Sequence, residues 1–423
     1  MAKTREEEQL PRSRWRLVGP GIVVAATGVG AGDLVATTVA GERYGYTLLW
    51  AAVLGCLIKI SLAEAAGRWH LATGTTLFEG WRTLGPWTTV YFAGYVAVWG
   101  FVYGSVAMSA SGLPLAALFP DGPDYRVWGV LCALLGLACV WCNRYAVIER
   151  VMTVLVGVMF VVTVGLAIRV TPDLGGLGAG LLPTFPDGSL VYTLGLMGGV
   201  GGSITLAAYG YWVTAKGWRG PRWIPVMRWD NRVAYAMTGV FVIAMLIVGA
   251  ELLRAADVAL ASGDRGLLDV GEVLEERFGA LTAKVFLLGF FATSFSSLLG
   301  VWHGVSLLFA DFTARLRAAR GAGDGGAAAR EPERSRPFRA YLLWLTFPPM
   351  LLLYQDEPVA LTLAYGVIGA LFMPFLAVTL LWLLNGPRTP RAWRSGLVSN
   401  VMLVGATALF VFLSVREIQD LPW

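Results

Sequence analysis

The residue of this sequence that is best suited to bind a ligand is an aspartate beside a glycine-rich break. Asp33 follows Gly28–Gly32 inside a long apolar stretch that carries no other charge. An ionised carboxylate at bilayer depth is costly, and such residues mostly face an aqueous path or a bundle interior. A second break, Gly199–Ser203, interrupts another apolar stretch. Because backbone unwinds in a membrane only where protein or water satisfies its amides, the paired breaks indicate a transport site.

Oxygen atoms at the two breaks predict a site for a hard cation. Carboxylate, carbonyl and water oxygens suit Mg²⁺ and Mn²⁺, so Asp33 is the predicted metal ligand, and it can also cap the helix that follows. The hydroxyls of Ser297 and Tyr365 either line the site or allow close helix packing. The full set of predicted substrate-binding residues is Asp33, Gly30, Ala31, Gly201, Gly202, Ser203, Thr205, Ser297 and Tyr365.

Other ionisable residues in apolar stretches have less specific signals. His303 is a possible proton relay or a hydrogen-bonded packing group. Glu64 and Arg68 have the i, i+4 spacing of a helical ion pair, for which we expect a structural role. Lys59 and Glu64 lie five residues apart, which puts them on different sides of a helix, so the sequence assigns no partner to Lys59.

The composition places the chain in a lipid bilayer. Of 423 residues, 56% are hydrophobic and only 14% are charged, and the mean hydropathy is +0.63, which is too apolar for a soluble protein of this size. The charged segment 1–16 leads into the first apolar stretch without a cleavage site, so that stretch should remain in the mature protein. The net charge of +5 resides in short loops between apolar stretches, which argues against a nucleic-acid partner.

No enzyme and no cofactor are predicted. The sequence has no nucleophile–base constellation and no phosphate-binding loop. Cys139 and Cys142 have the spacing of a zinc pair, but a second pair is missing and both lie in an apolar stretch.

Apolar runs long enough to cross a bilayer predict eleven spans. The intervening loops alternate in charge, with basic loops at 216–232 and 315–339 and an acidic one at 257–276. Basic loops favour the cytoplasmic side, so we expect an integral protein of a bacterial inner membrane with a cytoplasmic N-terminus. The predicted spans are 17–40, 45–67, 88–118, 127–143, 147–169, 189–214, 232–253, 281–310, 338–354, 358–385 and 396–415.

One transmembrane domain, 17–423, follows the cytoplasmic tail 1–16. The break in span 1 is echoed in span 6, one entering from each side, which predicts two inverted five-helix repeats. Their expected limits are about 17–170 and 189–385, with an extra helix at about 396–415 and a flexible cytoplasmic loop at 315–337.

A set of short motifs extends over most of the chain. They lie at Gly19–Pro20, Gly41–Trp50, Ala72–Gly74, Arg144–Arg150, Gly180–Pro183, Met227–Asp230, Ser296–Ser297 and Leu371–Phe375. Together they resemble the natural resistance-associated macrophage protein (Nramp) family of divalent-metal transporters. The resemblance implies an all-α integral-membrane protein of the LeuT-type fold, with two inverted five-helix repeats and an eleventh transmembrane helix.

The metal-binding motifs depart from those of the family. The family's Asp-Pro-Gly-Asn falls on Gly30–Asp33, and its Met-Pro-His falls on Gly202–Ile204, which removes the soft thioether ligand. Phe101 and Gly104 stand where the family has acidic residues of a proton path. The chain therefore resembles a divergent, Nramp-related branch, and Mg²⁺ or Mn²⁺ transport with weak or no proton coupling is expected.

The sequence thus favours secondary-active or facilitative transport of a divalent metal cation by alternating access. Two alternatives remain: a LeuT-fold carrier of a small organic or cationic solute, whose ammonium Asp33 would attract, and a transport-inactive membrane sensor or scaffold.

Overall fold

The described residues form helices joined by turns and loops, with no strand among them. The computed structural model describes residues 19–142, 145–199, 202–254, 265–319, 332–354 and 358–420, without a few side chains inside the helices. The helices are α1 (Pro20–Gly28), α2 (Ala31–Tyr44), α3 (Leu49–Thr73), α4 (Leu77–Arg82), α5 (Pro86–Leu118), α6 (Tyr125–Cys142), α7 (Tyr145–Arg169), α8 (Leu174–Ala179), α9 (Leu190–Gly199), α10 (Thr205–Ala215), α11 (Ile224–Val248), α12 (Arg265–Phe278), α13 (Ala280–Ala319), α14 (Arg336–Thr346), α15 (Pro358–Asn385) and α16 (Leu397–Asp420).

A helix lies at each of the eleven predicted spans. Seven helical segments in the described ranges are long and apolar enough to cross a bilayer, and they correspond to spans 2, 3, 4, 5, 7, 8 and 10. Spans 1, 6 and 9 are interrupted, so no single helix in them reaches that length. Span 11 contributes the shorter apolar segment Leu397–Leu413.

The interruptions lie at glycines and prolines. Span 1 is divided into α1 and α2, and span 6 into α9 and α10, at the two glycine-rich breaks. In span 9, α14 gives way to the 3₁₀ turn Pro348–Tyr354, because a proline cannot donate the backbone hydrogen bond that continues an α-helix.

The half-helices of span 1 are wedged into the centre of the bundle. α1 packs against α10, α11 and α13, while α2 packs against α9, α11 and the π-helical turn Gly249–Arg254. Two glycines allow this approach, because a Cβ atom at Gly249 would overlap the carbonyl of Thr38, and one at Gly300 would overlap the Thr27 hydroxyl. Small residues at such crossings let membrane helices pack at close range.

The predicted cytoplasmic loop 315–337 is shorter at its start than expected. α13 continues to Ala319, and its 40 residues correspond to about 60 Å, twice the hydrocarbon thickness. Arg315 stabilises this extension because it pairs with Asp311 at 2.6 Å and with Glu79. Residues 320–331 and the tail 1–16 lie outside the described ranges, and the repeat limits stay predictions.

Candidate functional site

The two predicted breaks meet through their backbones. α1 ends at Gly28 and α10 begins at Thr205. Between the halves of span 6, Gly202 has a φ of +80°, and a Cβ atom there would lie 3.2 Å from the Cα of Gly28 and would overlap the Thr205 hydroxyl. Glycine meets both requirements, the positive φ and the close approach. Spans 1 and 6 are thus in direct contact where each is interrupted.

Lys59 places a positive charge at these breaks. Its side chain on α3 is fully buried, and its ammonium donates a hydrogen bond to the Gly202 carbonyl. This partner lies 143 residues further along the chain, and no local pattern predicts it. A buried ammonium is costly unless it is hydrogen-bonded or paired. The contact therefore fixes Lys59 at the site and engages one of the predicted substrate-binding oxygens.

Ser297 performs the equivalent role at the break in span 1. Its hydroxyl donates to the Thr27 carbonyl at 2.7 Å, near the end of α1. Because the single hydroxyl proton is used there, the Tyr103 hydroxyl must donate to Ser297 Oγ, also at 2.7 Å. A Cβ atom at Gly30 would overlap Ser297 Oγ. The predicted residues Gly30 and Ser297 are therefore in direct contact.

Three aromatic rings form a wall beside Ser297. Trp99 and Tyr103 stack with ring centroids 4.7 Å apart, and the predicted residue Tyr365 lies 5.2 Å from Tyr103 and 6.0 Å from Trp99. Trp99 and Tyr103 were not among the residues predicted from the sequence. Their i, i+4 spacing on one face of α5 was an available signal, although aromatic residues in membrane spans have many other roles.

Buried hydroxyls border the breaks. The hydroxyls of Thr37 and Thr205 are buried and have no hydrogen-bond partner in the described ranges, and the buried Ser203 hydroxyl lies close to that of Tyr95. Thr37 lies one helical turn beyond Asp33 on α2, and the other two flank the start of α10. Buried polar groups that lack protein partners commonly bind water, an ion or a ligand, so the surroundings of the breaks suit a polar substrate.

The structure does not describe some of the predicted substrate-binding residues. Asp33 and Ala31 begin the first turn of α2, but their side chains are not described, and Gly201 is outside the described residues. Among the described residues, no three His, Cys, Asp or Glu side chains form a group that could hold a metal ion. A metal site at these breaks would therefore depend on Asp33 together with backbone and hydroxyl oxygens.

Trp212 and Glu333 hold the His303 ring in place. Its Nδ1 accepts a hydrogen bond from the Trp212 indole at 3.1 Å, and its Nε2 lies 3.0 Å from Glu333. Because Nδ1 accepts, Nε2 is the nitrogen that donates to Glu333. Six residues along α13 separate His303 from Ser297, about 9 Å of helix. The relay role of His303 stays a prediction.

The positions of the expected proton path face span 9. The Phe101 ring lies 6.3 Å from that of Trp344, and a Cβ atom at Gly104 would overlap the Pro349 ring and the Leu345 carbonyl. Gly104 therefore permits close packing of α5 on the interrupted span, and neither position supplies a titratable group.

Asp230 anchors the N-terminal end of α1. The carboxylate of this fully buried residue on α11 accepts hydrogen bonds from the backbone N–H groups of Gly19 at 2.8 Å and Gly21 at 2.6 Å. The Tyr209 hydroxyl on α10 donates to it at 3.2 Å. A carboxylate at a helix N-terminus satisfies free N–H groups and complements the helix dipole. Asp230 thus ties α1 to α10 and α11, a role that its sequence position alone did not reveal.

A family model covers nearly the whole chain. The model described as natural resistance-associated macrophage protein-like matches residues 21–420. A curated relative from Acidiphilium cryptum, named divalent metal cation transporter MntH, is 27% identical over 304 residues, which are 68% of this chain and 68% of the relative. The protein of the same name from Mycobacterium tuberculosis is 26% identical over 311 residues, covering 70% and 71%. These relatives are named as transporters and not as enzymes, in agreement with the sequence-based expectation.

Solved structures share the fold. A manganese transporter mutant from Eremococcus coleocola superimposes with a TM-score of 0.75 at 16% identity, covering 98% of this chain and 89% of that one. MhsT in complex with L-phenylalanine gives a TM-score of 0.57 at 16% identity, covering 94% and 97%. The predicted LeuT-type, all-helical membrane fold is confirmed.

The anchor of α1 is expected to contribute measurably to stability. Asp230→Ala leaves two buried backbone N–H groups without their acceptor. Each unsatisfied group lowers the free energy of unfolding by about 1–3 kcal/mol. We expect the melting temperature of the purified protein in detergent to fall by several degrees, and by less in Asp230→Asn, which keeps one acceptor oxygen. The exposed residue Asp187 provides the control. Equal melting temperatures for Asp230→Ala and Asp187→Ala would contradict the anchoring role.

Proposed function

Because the chain belongs to the natural resistance-associated macrophage protein-like (Nramp) family, we propose that it transports a divalent metal cation by alternating access around spans 1 and 6. The observation that carries the proposal is the contact between the two interrupted spans at Gly28 and Gly202. Interrupted helices that meet in the middle of a bundle provide both free backbone oxygens and a point about which the halves can move. The curated relatives named as divalent metal cation transporters support the same substrate class.

We propose Mg²⁺ or Mn²⁺ as the substrate, with Asp33 as its charged ligand. Carbonyl oxygens of Gly30, Ala31, Gly201 and Gly202 would complete the shell together with the hydroxyls of Ser203 and Thr205, directly or through retained waters. The absence of a thioether at Gly202–Ile204 supports a hard ion, because soft ligands favour later transition metals.

Lys59 imposes a condition on this mechanism. A divalent ion and an ammonium about 5 Å apart repel each other by about 7 kcal/mol at an effective dielectric constant of 20. An ion near the Gly202 carbonyl must therefore displace the ammonium or bind after it has lost its proton. Displacement without proton release agrees with the proposed weak proton coupling, and with Phe101 and Gly104 in place of acidic residues.

A carrier of a small organic solute is the second candidate. The buried Lys59 ammonium favours a carboxylate, and the wall of Trp99, Tyr103 and Tyr365 favours an apolar or aromatic group. A zwitterionic amino acid would place its carboxylate at Lys59 and its ammonium towards Asp33. Such a solute falls within the sequence-based alternative of a small organic or cationic solute, and Lys59 adds a partner for its carboxylate that the sequence did not place at the site.

We further propose that the protein lies in a bacterial inner membrane with its N-terminus in the cytoplasm. The basic loops at 216–232 and 315–339, which precede spans 7 and 9, support this orientation. A transport-inactive sensor or scaffold is the remaining alternative, and a complete lack of flux would favour it.

Removing the Asp33 carboxylate should abolish transport. In proteoliposomes, Asp33→Ala is expected to lower Mn²⁺ and Mg²⁺ uptake at least about tenfold, because the remaining ligands are neutral. Asp187→Ala is the control for loss of an acidic residue elsewhere. Unchanged uptake in Asp33→Ala would disprove the role of Asp33, and a wild-type protein without flux of any divalent cation would disprove the proposed function.

Metal uptake should leave the pH of the vesicle lumen nearly unchanged. A pH-sensitive dye enclosed in the same proteoliposomes reports proton movement during Mn²⁺ uptake, and an ionophore-driven pH change calibrates it. Near-constant lumenal pH is expected because the usual acidic residues are missing from span 3. Robust acidification driven by the metal would show that protons are coupled, with Lys59 as the group to test next.

Neutralising Lys59 should strengthen metal binding. Lys59→Gln removes the repelling charge, so the dissociation constant for Mn²⁺ or Mg²⁺ is expected to fall at least about tenfold, about 1.4 kcal/mol. Ligand-induced thermal shifts measure this, because binding to the native state raises stability. Lys284→Gln, at an exposed position on α13, is the charge-matched control. If L-phenylalanine stabilises the wild type, and Lys59→Gln loses that effect without a gain for metals, the organic solute is favoured instead.

A further inference from the structure

A basic pocket lies at the face of the protein where α3 ends and α11 and α16 begin. Its volume is about 310 Å³. Four positive charges face one negative charge across it, because its ionisable lining consists of Glu64, Arg68, Arg228, Arg232 and Arg394. The proposed transport mechanism uses none of these residues.

Glu64 and Arg68 have a structural role in the pocket, because they bond to each other and to the residues around them. Their predicted i, i+4 ion pair is confirmed, with Arg68 Nε 3.1 Å from Glu64. The other nitrogens of Arg68 donate to the Trp393 carbonyl at 3.0 Å and to the Ser399 hydroxyl at 2.9 Å. Only 3% of the Arg68 side chain is exposed. Arg68 therefore fastens the start of α16 to α3 and leaves the other arginines to face a ligand.

The other three arginines have unused hydrogen-bond donors. Arg228 donates a hydrogen bond from Nε to the Glu64 carboxylate at 2.9 Å, and 42% of its side chain is exposed. Arg394 donates a hydrogen bond from Nε to the Thr389 carbonyl. The terminal nitrogens of both, and all of those of Arg232, have no partner within the described ranges. Guanidinium groups with free, forked donors are suited to the oxygens of a phosphate group.

Beside the arginines, the pocket borders an apolar surface. Leu57 lies one helical turn before the lining residue Ser61 and is 48% exposed. On α16, the lining residue Val398 is 78% exposed and Val401 is 59% exposed. In a membrane protein such exposed apolar side chains face lipid chains. The pocket thus joins a phosphate-binding charge pattern to a lipid-facing surface.

We propose that this pocket binds the phosphate headgroup of an anionic membrane phospholipid. The acyl chains lie along Leu57, Val398 and Val401, while the headgroup bridges Arg228, Arg232 and Arg394. Basic pockets between transmembrane helices recognise anionic headgroups in this way. The bound lipid joins α3, α11 and α16, so it stabilises the attachment of the last helix.

Lipid binding to the full-length purified protein tests the proposal. Native mass spectrometry and thermal unfolding in detergent would compare palmitoyl-oleoyl phosphatidylglycerol, the matching phosphatidylcholine, and inorganic phosphate. The phosphatidylglycerol is expected to bind at least about tenfold more tightly than the phosphatidylcholine, since each arginine near an anionic headgroup contributes a factor of about five. Inorganic phosphate should give little thermal shift, because it lacks the acyl chains.

A charge-matched pair of variants locates the site. The triple variant Arg228→Gln, Arg232→Gln and Arg394→Gln should lose the preference for phosphatidylglycerol. The control triple Arg150→Gln, Arg219→Gln and Arg317→Gln, at exposed positions outside the pocket, should keep it within about twofold.

Several outcomes would overturn the proposal. Equal losses in the two triple variants, or no lipid preference in the wild type, would refute the site. A phosphate effect as large as that of phosphatidylglycerol would assign the pocket to a free anion. If the pocket variant fails to fold, a missing lipid preference in the wild type still refutes the proposal. Neither measurement depends on transport activity.

Discussion

The backbone of an interrupted helix inside a bilayer must find hydrogen-bond partners, and this requirement organises the centre of the protein. Two side chains from neighbouring helices meet it at the breaks, and a third caps the first half-helix at its N-terminal end. Lys59 donates to the Gly202 carbonyl, Ser297 donates to the Thr27 carbonyl, and Asp230 accepts from the N–H groups at the start of α1. Since unsatisfied amides in hydrocarbon each cost several kcal/mol, these contacts fix the positions of the half-helices.

The same contacts define the chemistry that the site offers. Glycine at the breaks lets the two interrupted spans touch and leaves carbonyl oxygens exposed to side chains instead of to a continuing helix. Around them lie hydroxyls, an ammonium and an aromatic wall, but no thioether in the position where the family has one. The fold shared with metal transporters therefore surrounds breaks that are rich in oxygen atoms, and under the proposed function the charges of Asp33 and Lys59 decide together what binds.

Helix α3 links the centre of the protein to its basic face. Lys59 reaches the break in span 6, and nine residues later, about 14 Å along the helix axis, Arg68 fastens α16 through Trp393 and Ser399. The proposed substrate site and the proposed lipid pocket thus both contact α3. Arg68 belongs to the support of this element, whereas Arg228, Arg232 and Arg394 retain donors for a ligand.

The sequence by itself determined the membrane class, the eleven spans, the positions of the two breaks and the Glu64–Arg68 pair. These are local properties, because hydrophobic length, glycine content and i, i+4 spacing are read within one segment. Only the tertiary structure decided that Lys59 meets Gly202, that Tyr103 bonds to Ser297 and packs against Tyr365, and that Asp230 holds α1. Those partners lie tens to hundreds of residues apart, and their contact depends on how each helix is rotated and packed, which no local pattern encodes.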